Sequence, residues 1–211
     1  MSKKDIVDEI VKREWEQFQH TQNVGGRASC QDNFPVLYVM RTSQAMAWSE
    51  EMAASWLADL KHADAIDRNL VTEKYARMMR FTVPEEYAAF ESQLPKLEKG
   101  VEELARELTD MSVKWAEETA KKYPHVCGRG RSLHSSEDTP WNTSLESYSI
   151  GELETYSLAT LKLFKTYYDE KLARGENLYE EIEENTAKLM GYESLAKAEE
   201  SMAARRDLTP N

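Results

Sequence analysis

Between residues 94 and 122 the chain repeats apolar side chains at alternating intervals of three and four. Leu94, Leu97, Val101, Leu104, Leu108, Met111 and Trp115 make up the row. Such a row lays one apolar stripe along an α-helix, and a helix alone cannot hide it from water. The repeat lasts only about three heptads, so the expected role is the central helix of a bundle rather than a free coiled coil. Other helices must cover the stripe.

The rest of the chain supplies them. Ile6, Val7, Ile10, Val11, Trp15 and Phe18 share one face of a helix over 3–21, and the pattern breaks at Asn23-Val-Gly-Gly26. A second helix is expected from Asn33 to Trp48, with Asn33 as N-cap and Pro35 in the first turn. Ser49 opens a third, whose Met52, Trp56, Leu57 and Leu60 fall together. A shorter helix over 72–80 takes Thr72 as cap, and Thr82-Val-Pro-Glu85 reads as a capping box. The central helix covers 94–122 and stops at Pro124. Helix resumes near Ser149 and runs to Ala173, and two more, over 176–190 and 194–206, are parted by Gly191. Residues 207–211 are expected to fray. No stretch alternates as a strand. The expected fold is therefore all-α: a single-domain irregular multi-helix bundle over 1–211 with one long polar loop, about 124–148.

A length of 211 residues suits one such domain. The formal net charge of −11 argues against nonspecific nucleic-acid or anionic-membrane partners, which need a cationic face. No apolar run approaches the roughly 18–20 residues of a membrane span. The first ten residues carry acids where a signal peptide would be apolar, so a cytoplasmic location is expected. Two cysteines far apart in the chain make no disulfide framework and are expected as reduced thiols.

Two short stretches stand out from this helical, acidic background. The first is Asn23-Val-Gly-Gly-Arg-Ala-Ser-Cys-Gln-Asp32; the second is His125-Val-Cys-Gly-Arg-Gly-Arg-Ser-Leu-His134. Helix packing requires neither. In the first, Gly25 and Gly26 allow backbone amides to turn toward an anion, Arg27 offers a planar fork, and Gln31 is a further donor. The stretch is neither a Walker loop nor a dinucleotide fingerprint, because no Gly-Lys-Ser/Thr follows and no strand precedes it. An ordinary glycine turn between helices is its plainest reading. From Lys121 to His134 the second stretch contains four cations and no acid, a local reversal of sign in an acidic protein. The two lysines fit a helix C-terminus; Arg129 and Arg131, flanking Gly130, are free to hold an anion.

Ser135, Ser136, Glu137 and Thr143 follow in a segment dense in hydroxyls and carboxylates, as further candidates for substrate contact. A loop of helix caps, with Thr143 or Ser144 opening the next helix, accounts for them equally well. Beyond it, Glu152 lies one helical turn from both Tyr148 and Tyr156. A carboxylate and a phenol converging on a pocket can serve acid–base chemistry, so Glu152 and Tyr156 are candidate catalytic groups. Cys30 is the candidate nucleophile, since arginines nearby favour a thiolate; Cys127 shares that argument. Cys30, His125, Cys127 and His134 lack the spacing of a zinc cage, and Asp59-Leu-Lys-His62 is a poor match to a di-iron helix, so no metal is expected. No nucleotide or pyridoxal signature appears, so no organic cofactor is expected either.

With these residues in view, the chain resembles a bacterial domain-of-unknown-function family, number 4125. The resemblance rests on Ile6-Val-Asp-Glu-Ile-Val-Lys-Arg-Glu-Trp-Glu16, the stretch 23–32, Asn69-Leu-Val-Thr-Glu-Lys-Tyr-Ala-Arg-Met-Met79, Ser135-Ser-Glu-Asp-Thr-Pro-Trp-Asn-Thr-Ser144, and Gly151-Glu-Leu-Glu-Thr-Tyr-Ser157. It spans nearly the whole chain and implies one domain, without implying an activity. The function expected from the residues is an enzyme acting on a small anionic metabolite, carboxylated or phosphorylated, as a cofactor-independent lyase or isomerase. The alternative is a noncatalytic protein-interaction or regulatory module. A homodimer is compatible with either.

Overall fold

The computed structural model describes residues 1–22 and 26–207. Among these the chain forms eleven α-helices and no strand, an all-α multi-helix fold. In chain order they are α1 (Lys3–Gln19), α2 (Phe34–Ala47), α3 (Glu50–Ala65), α4 (Leu70–Thr82), α5 (Pro84–Phe90), α6 (Val101–Lys122), α7 (Pro124–Cys127), α8 (Leu145–Leu153), α9 (Leu158–Ala173), α10 (Leu178–Leu189) and α11 (Leu195–Asp207). Of the tail expected to fray, Asp207 closes α11 and 208–211 lie outside the described residues.

Side-chain caps set most starts. Ser2 and Asp5 form a capping box on α1, and Asn33, Ser49, Ser144, Ser157 and Asn177 cap α2, α3, α8, α9 and α10. At α4 the cap is Asn69 rather than Thr72: the Asn69 side chain accepts the Thr72 amide proton at 2.8 Å, which starts the helix at Leu70. The capping box expected at Thr82–Glu85 does not form. Helix α4 absorbs Thr82, and Val83, which has no side-chain acceptor, precedes α5.

The central helix is α6, and it begins later than the leucine row suggests. Pro95 and Gly100, whose φ is 95°, hold 94–100 out of the helix, so Leu94 and Leu97 reach the fold from a loop. Val101, Leu108 and Trp115 of the row are buried, and Leu97, Leu104 and Met111 pack partly against the core. The helix expected to run unbroken from Ser149 to Ala173 is two. Helix α8 starts earlier, at Leu145, and the chain breaks at 154–157 before α9. The break is fixed by Asp59 on α3, whose carboxylate accepts from the Ser157 amide (2.9 Å) and the Thr160 hydroxyl (2.7 Å). The long polar segment also carries structure: α7, a 3-10 turn at Ser135–Glu137, and an isolated bridge between Thr139 and Asn142.

The main core joins α1, α2, α3, α6, α9 and α10 around Ile10, Trp48, Met52, Leu60, Leu108, Leu161, Phe164 and Leu178. Tyr156, in the 154–157 break, stacks on Trp56 with ring centres 3.9 Å apart and meets Phe164 edge-on at 5.4 Å. A smaller cluster at Ala187, Leu195 and Ala198 ties α11 to α10. One close approach positions the site: a Cβ on Gly151 would lie 2.7 Å from the Met78 Cγ and 3.0 Å from the Lys74 carbonyl oxygen. Only glycine lets α8 press this closely on α4.

Candidate functional site

The apolar faces of four elements each contribute one charged residue to a shared buried cluster, and α4 buries Glu73 and Arg77 besides. Glu14 follows Ile10 and Val11 on α1, Arg41 sits four residues after Leu37 on α2, Lys74 lies between Leu70 and Met78 on α4, and Glu152 follows Gly151 on α8. Packing the helices brings all four together, buried. The Arg41 guanidinium lies between two carboxylates. Its Nε and Nη2 donate to the Glu14 oxygens at 2.5 and 2.6 Å, and its Nη1 donates to Glu152 Oε1 at 2.8 Å and to Gln44 Oε1 at 2.7 Å. The Trp56 indole donates to Glu14 at 2.8 Å, and the Tyr156 hydroxyl donates to Glu152 Oε1 at 3.0 Å. Lys74 completes the chain, donating to Glu152 Oε2 at 2.8 Å and to the Tyr148 hydroxyl.

This network is charge-balanced, two cations against two carboxylates. Burial alone would drive Glu152 toward its neutral acid, but Arg41 and Lys74 outweigh it and hold the carboxyl far below the usual range. Burial likewise opposes the Arg41 and Lys74 charges, and the carboxylates more than restore them. Burial, then the Glu152 charge, pushes the Tyr156 phenol well above its ordinary value, so it stays a proton donor.

The network floors a cleft of about 50 Å³, whose walls include Phe18, Leu37, Tyr75 and Tyr148. That volume holds a water or one small polar group, not a whole metabolite. In the cleft wall the Tyr148 ring meets two cations, with the Lys74 Nζ 4.0 Å and the Arg131 guanidinium 4.7 Å from its centre. Burial and the Tyr148 neighbour push Tyr75 up to about 12 against the pull of Lys74 and Arg131, and Cys30 adds to the upward push.

The residues singled out in the sequence divide accordingly. Glu152 and Tyr156 lie inside the network, Arg131 lies at the Tyr148 ring beside it, and Cys30 is exposed. Arg131 is anchored by donating to the Thr143 carbonyl oxygen at 3.0 Å. Arg27 turns elsewhere, donating to Asp32 at 2.9 Å, to the Gln31 carbonyl oxygen at 2.9 Å and to the Gln19 side chain. Gln31 is buried with its amide spent on structure: it donates to the Phe18 and Thr21 carbonyl oxygens at 2.7 and 2.9 Å and accepts the Ala28 amide proton at 2.9 Å. Gly26 is exposed on the preceding turn, and Gly25 lies outside the described residues. Arg129 is exposed and finds no side-chain partner among the described residues. Ser135 donates its backbone N–H to Glu146 at 2.7 Å, and Ser136 and Glu137 are exposed on the same 3-10 turn. Burial first, then Glu183 and Glu199, push the Cys127 thiol up to about 12, against the lowering expected from neighbouring arginines.

Glu14, Arg41, Lys74 and Tyr75 escaped the sequence reading. The signal was present: a charge at a core position of an otherwise apolar helical face is costly unless paired. No cluster of three or more His, Cys, Asp or Glu residues fit to hold a metal occurs among the described residues. Nor is any helix there long and apolar enough to cross a membrane. No curated protein and no solved structure matches the chain. A family model does match, over residues 4–200, and the chain belongs to that family, described as a protein of unknown function, DUF4125.

Proposed function

We propose that this protein is an enzyme acting on a small anionic metabolite, carboxylated or phosphorylated, by lyase or isomerase chemistry that needs no organic cofactor. The observation carrying this reading is the Lys74–Tyr148 pair in the wall of the cleft. A phenol whose oxygen accepts a hydrogen bond from a buried ammonium keeps that partner when it gives up its proton, which suits it to proton transfer. Glu152 and Tyr156 then serve by position: locked as a carboxylate and a phenol, they hold Lys74 and Arg41 in place. Arg131 supplies the charge in excess of the balanced floor and draws the anion to the mouth.

The test is a thermal-shift screen of the full chain against carboxylated and phosphorylated metabolites, followed by turnover assays on whatever stabilises it. Tyr148→Phe is expected to keep ligand stabilisation and lose at least about 100-fold in turnover; Arg131→Ala is expected to lose the stabilisation. A screen in which no anion stabilises the protein, or a Tyr148→Phe variant of undiminished turnover, defeats the proposal. One observation favours the alternative of a noncatalytic interaction module: Trp141, on the bridged loop, is 96% exposed. Large exposed aromatics of this kind anchor protein interfaces. On that reading Trp141→Ala, and not Tyr148→Phe, would abolish function in the cell.

A further inference from the structure

The cleft above the buried network is lined by donors that the network does not use. An ammonium carries three N–H groups and a guanidinium five. Lys74 uses two, on Glu152 and the Tyr148 hydroxyl, and Arg41 uses four, on Glu14, Gln44 and Glu152. One N–H of each has no acceptor among the described residues. Both side chains are buried, and both line the cleft. Tyr75 lines it as well. Its ring stacks on Phe18 with centres 5.8 Å apart and lies 5.6 Å from the Lys74 Nζ, yet no hydrogen bond fixes its hydroxyl among the described residues. A buried charged donor left without an acceptor is costly, so this cleft favours a group made of acceptors.

Size and charge choose which acceptor group. A water needs about 10–15 Å³ of such space, so about 50 Å³ takes roughly three or four heavy atoms. A carboxylate fits that count; a phosphate, with two more atoms, exceeds it. Glu14 and Glu152 stand in the same walls and balance Arg41 and Lys74. A dianion would meet two like charges against that balance. A monoanion needs one further cation, and Arg131 supplies it at the Tyr148 ring. Leu37, Leu70 and Val71 make the remaining wall apolar, a surface for carbon rather than for a second polar group.

We infer that the cleft takes the carboxylate of a short-chain monocarboxylic acid, with the Tyr75 hydroxyl as the neutral donor that binds it beside Lys74. This rests on the small-anion site proposed above and narrows its ligand from carboxylated or phosphorylated to carboxylated. Tyr148, already paired with Lys74, is left for proton transfer.

The experiment titrates the full chain with butyrate, and separately with inorganic phosphate, at constant ionic strength. It follows the Trp56 indole N–H by NMR, because that indole lines the cleft and donates to Glu14. Butyrate is expected to give a saturable shift with a Kd of about 1–10 mM, and phosphate none over the same range. Tyr75→Phe removes a hydroxyl that has no protein partner among the described residues. It is expected to leave the Tm of the free protein unchanged and to weaken butyrate about tenfold. No saturable butyrate shift up to about 50 mM overturns the inference. Phosphate binding as tight as butyrate, or an unchanged butyrate affinity in Tyr75→Phe, overturns it as well. The two readings fail separately. A phosphomonoester that binds and turns over while butyrate is inert removes the carboxylate and leaves the enzyme. Butyrate bound through Tyr75, in a protein whose Tyr148→Phe variant keeps full turnover, leaves the carboxylate and removes the proposed chemistry.

Discussion

Glu152 is the residue on which the buried network turns, because its carboxylate takes Arg41, Lys74 and Tyr156 together. Glu152→Gln keeps the shape and removes the charge. Arg41 then keeps Glu14, while Lys74 loses the one carboxylate it pairs with among the described residues, and breaking a buried pair in this way costs about 3–5 kcal/mol. The pH dependence has a definite sign. The folded carboxyl titrates far below its ordinary value of 4.5, so its contribution is complete above that value and drains away as pH falls. Urea unfolding at neutral pH and at about pH 3 should therefore show wild type losing more stability on acidification than Glu152→Gln. Parallel losses in the two proteins would mean that Glu152 is not held ionised by its neighbours.

At the scale of elements, the site depends on how closely α8 lies on α4. Gly151 sets that distance, and the carbonyl its absent Cβ would strike belongs to Lys74 itself. Gly151→Ala would improve intrinsic helix propensity in α8 yet push the two helices apart. The clash outweighs the propensity gain because its partners are Met78 and α4 backbone rather than a loose side-chain end alone. A net destabilisation of about 1–3 kcal/mol in chemical denaturation is expected. A stabilised Gly151→Ala protein would show that the contact is not close. The break between α8 and α9 works in the same direction: it turns the chain so that Tyr156 faces back onto Glu152 and Trp56.

Across the whole molecule, burial is uneven. The main core gathers residues from α1, α2, α3, α6, α9 and α10, whereas α11 is held by Leu195 and Ala198 against Ala187, with Glu199 accepting amide protons from His125 (3.0 Å) and Val126 (2.8 Å). Fewer buried apolar groups give a lower local opening energy. Hydrogen exchange should therefore be faster in α11 than in the middle of α6, around Leu108–Trp115; equal protection of the two would contradict the division. Much of this architecture was legible in the chain. Periodicity marked the apolar faces of α1, α3 and α6, and short polar side chains marked the caps of α2 and α3, because both depend on residues within a turn or two of each other. Where distant residues intervene, the local signal fails: Asp59 restarts the chain at α9. Before Val101 two local signals compete, and Pro95 and Gly100 override the leucine row. The site follows the same rule. Sequence alone determined an all-helical chain and flagged Glu152, Tyr156 and the basic stretch bearing Arg131. Only the tertiary structure decided that Glu14, Arg41 and Lys74 would join them, because four charges that are each costly to bury become compatible with a core only where four helices bring them together.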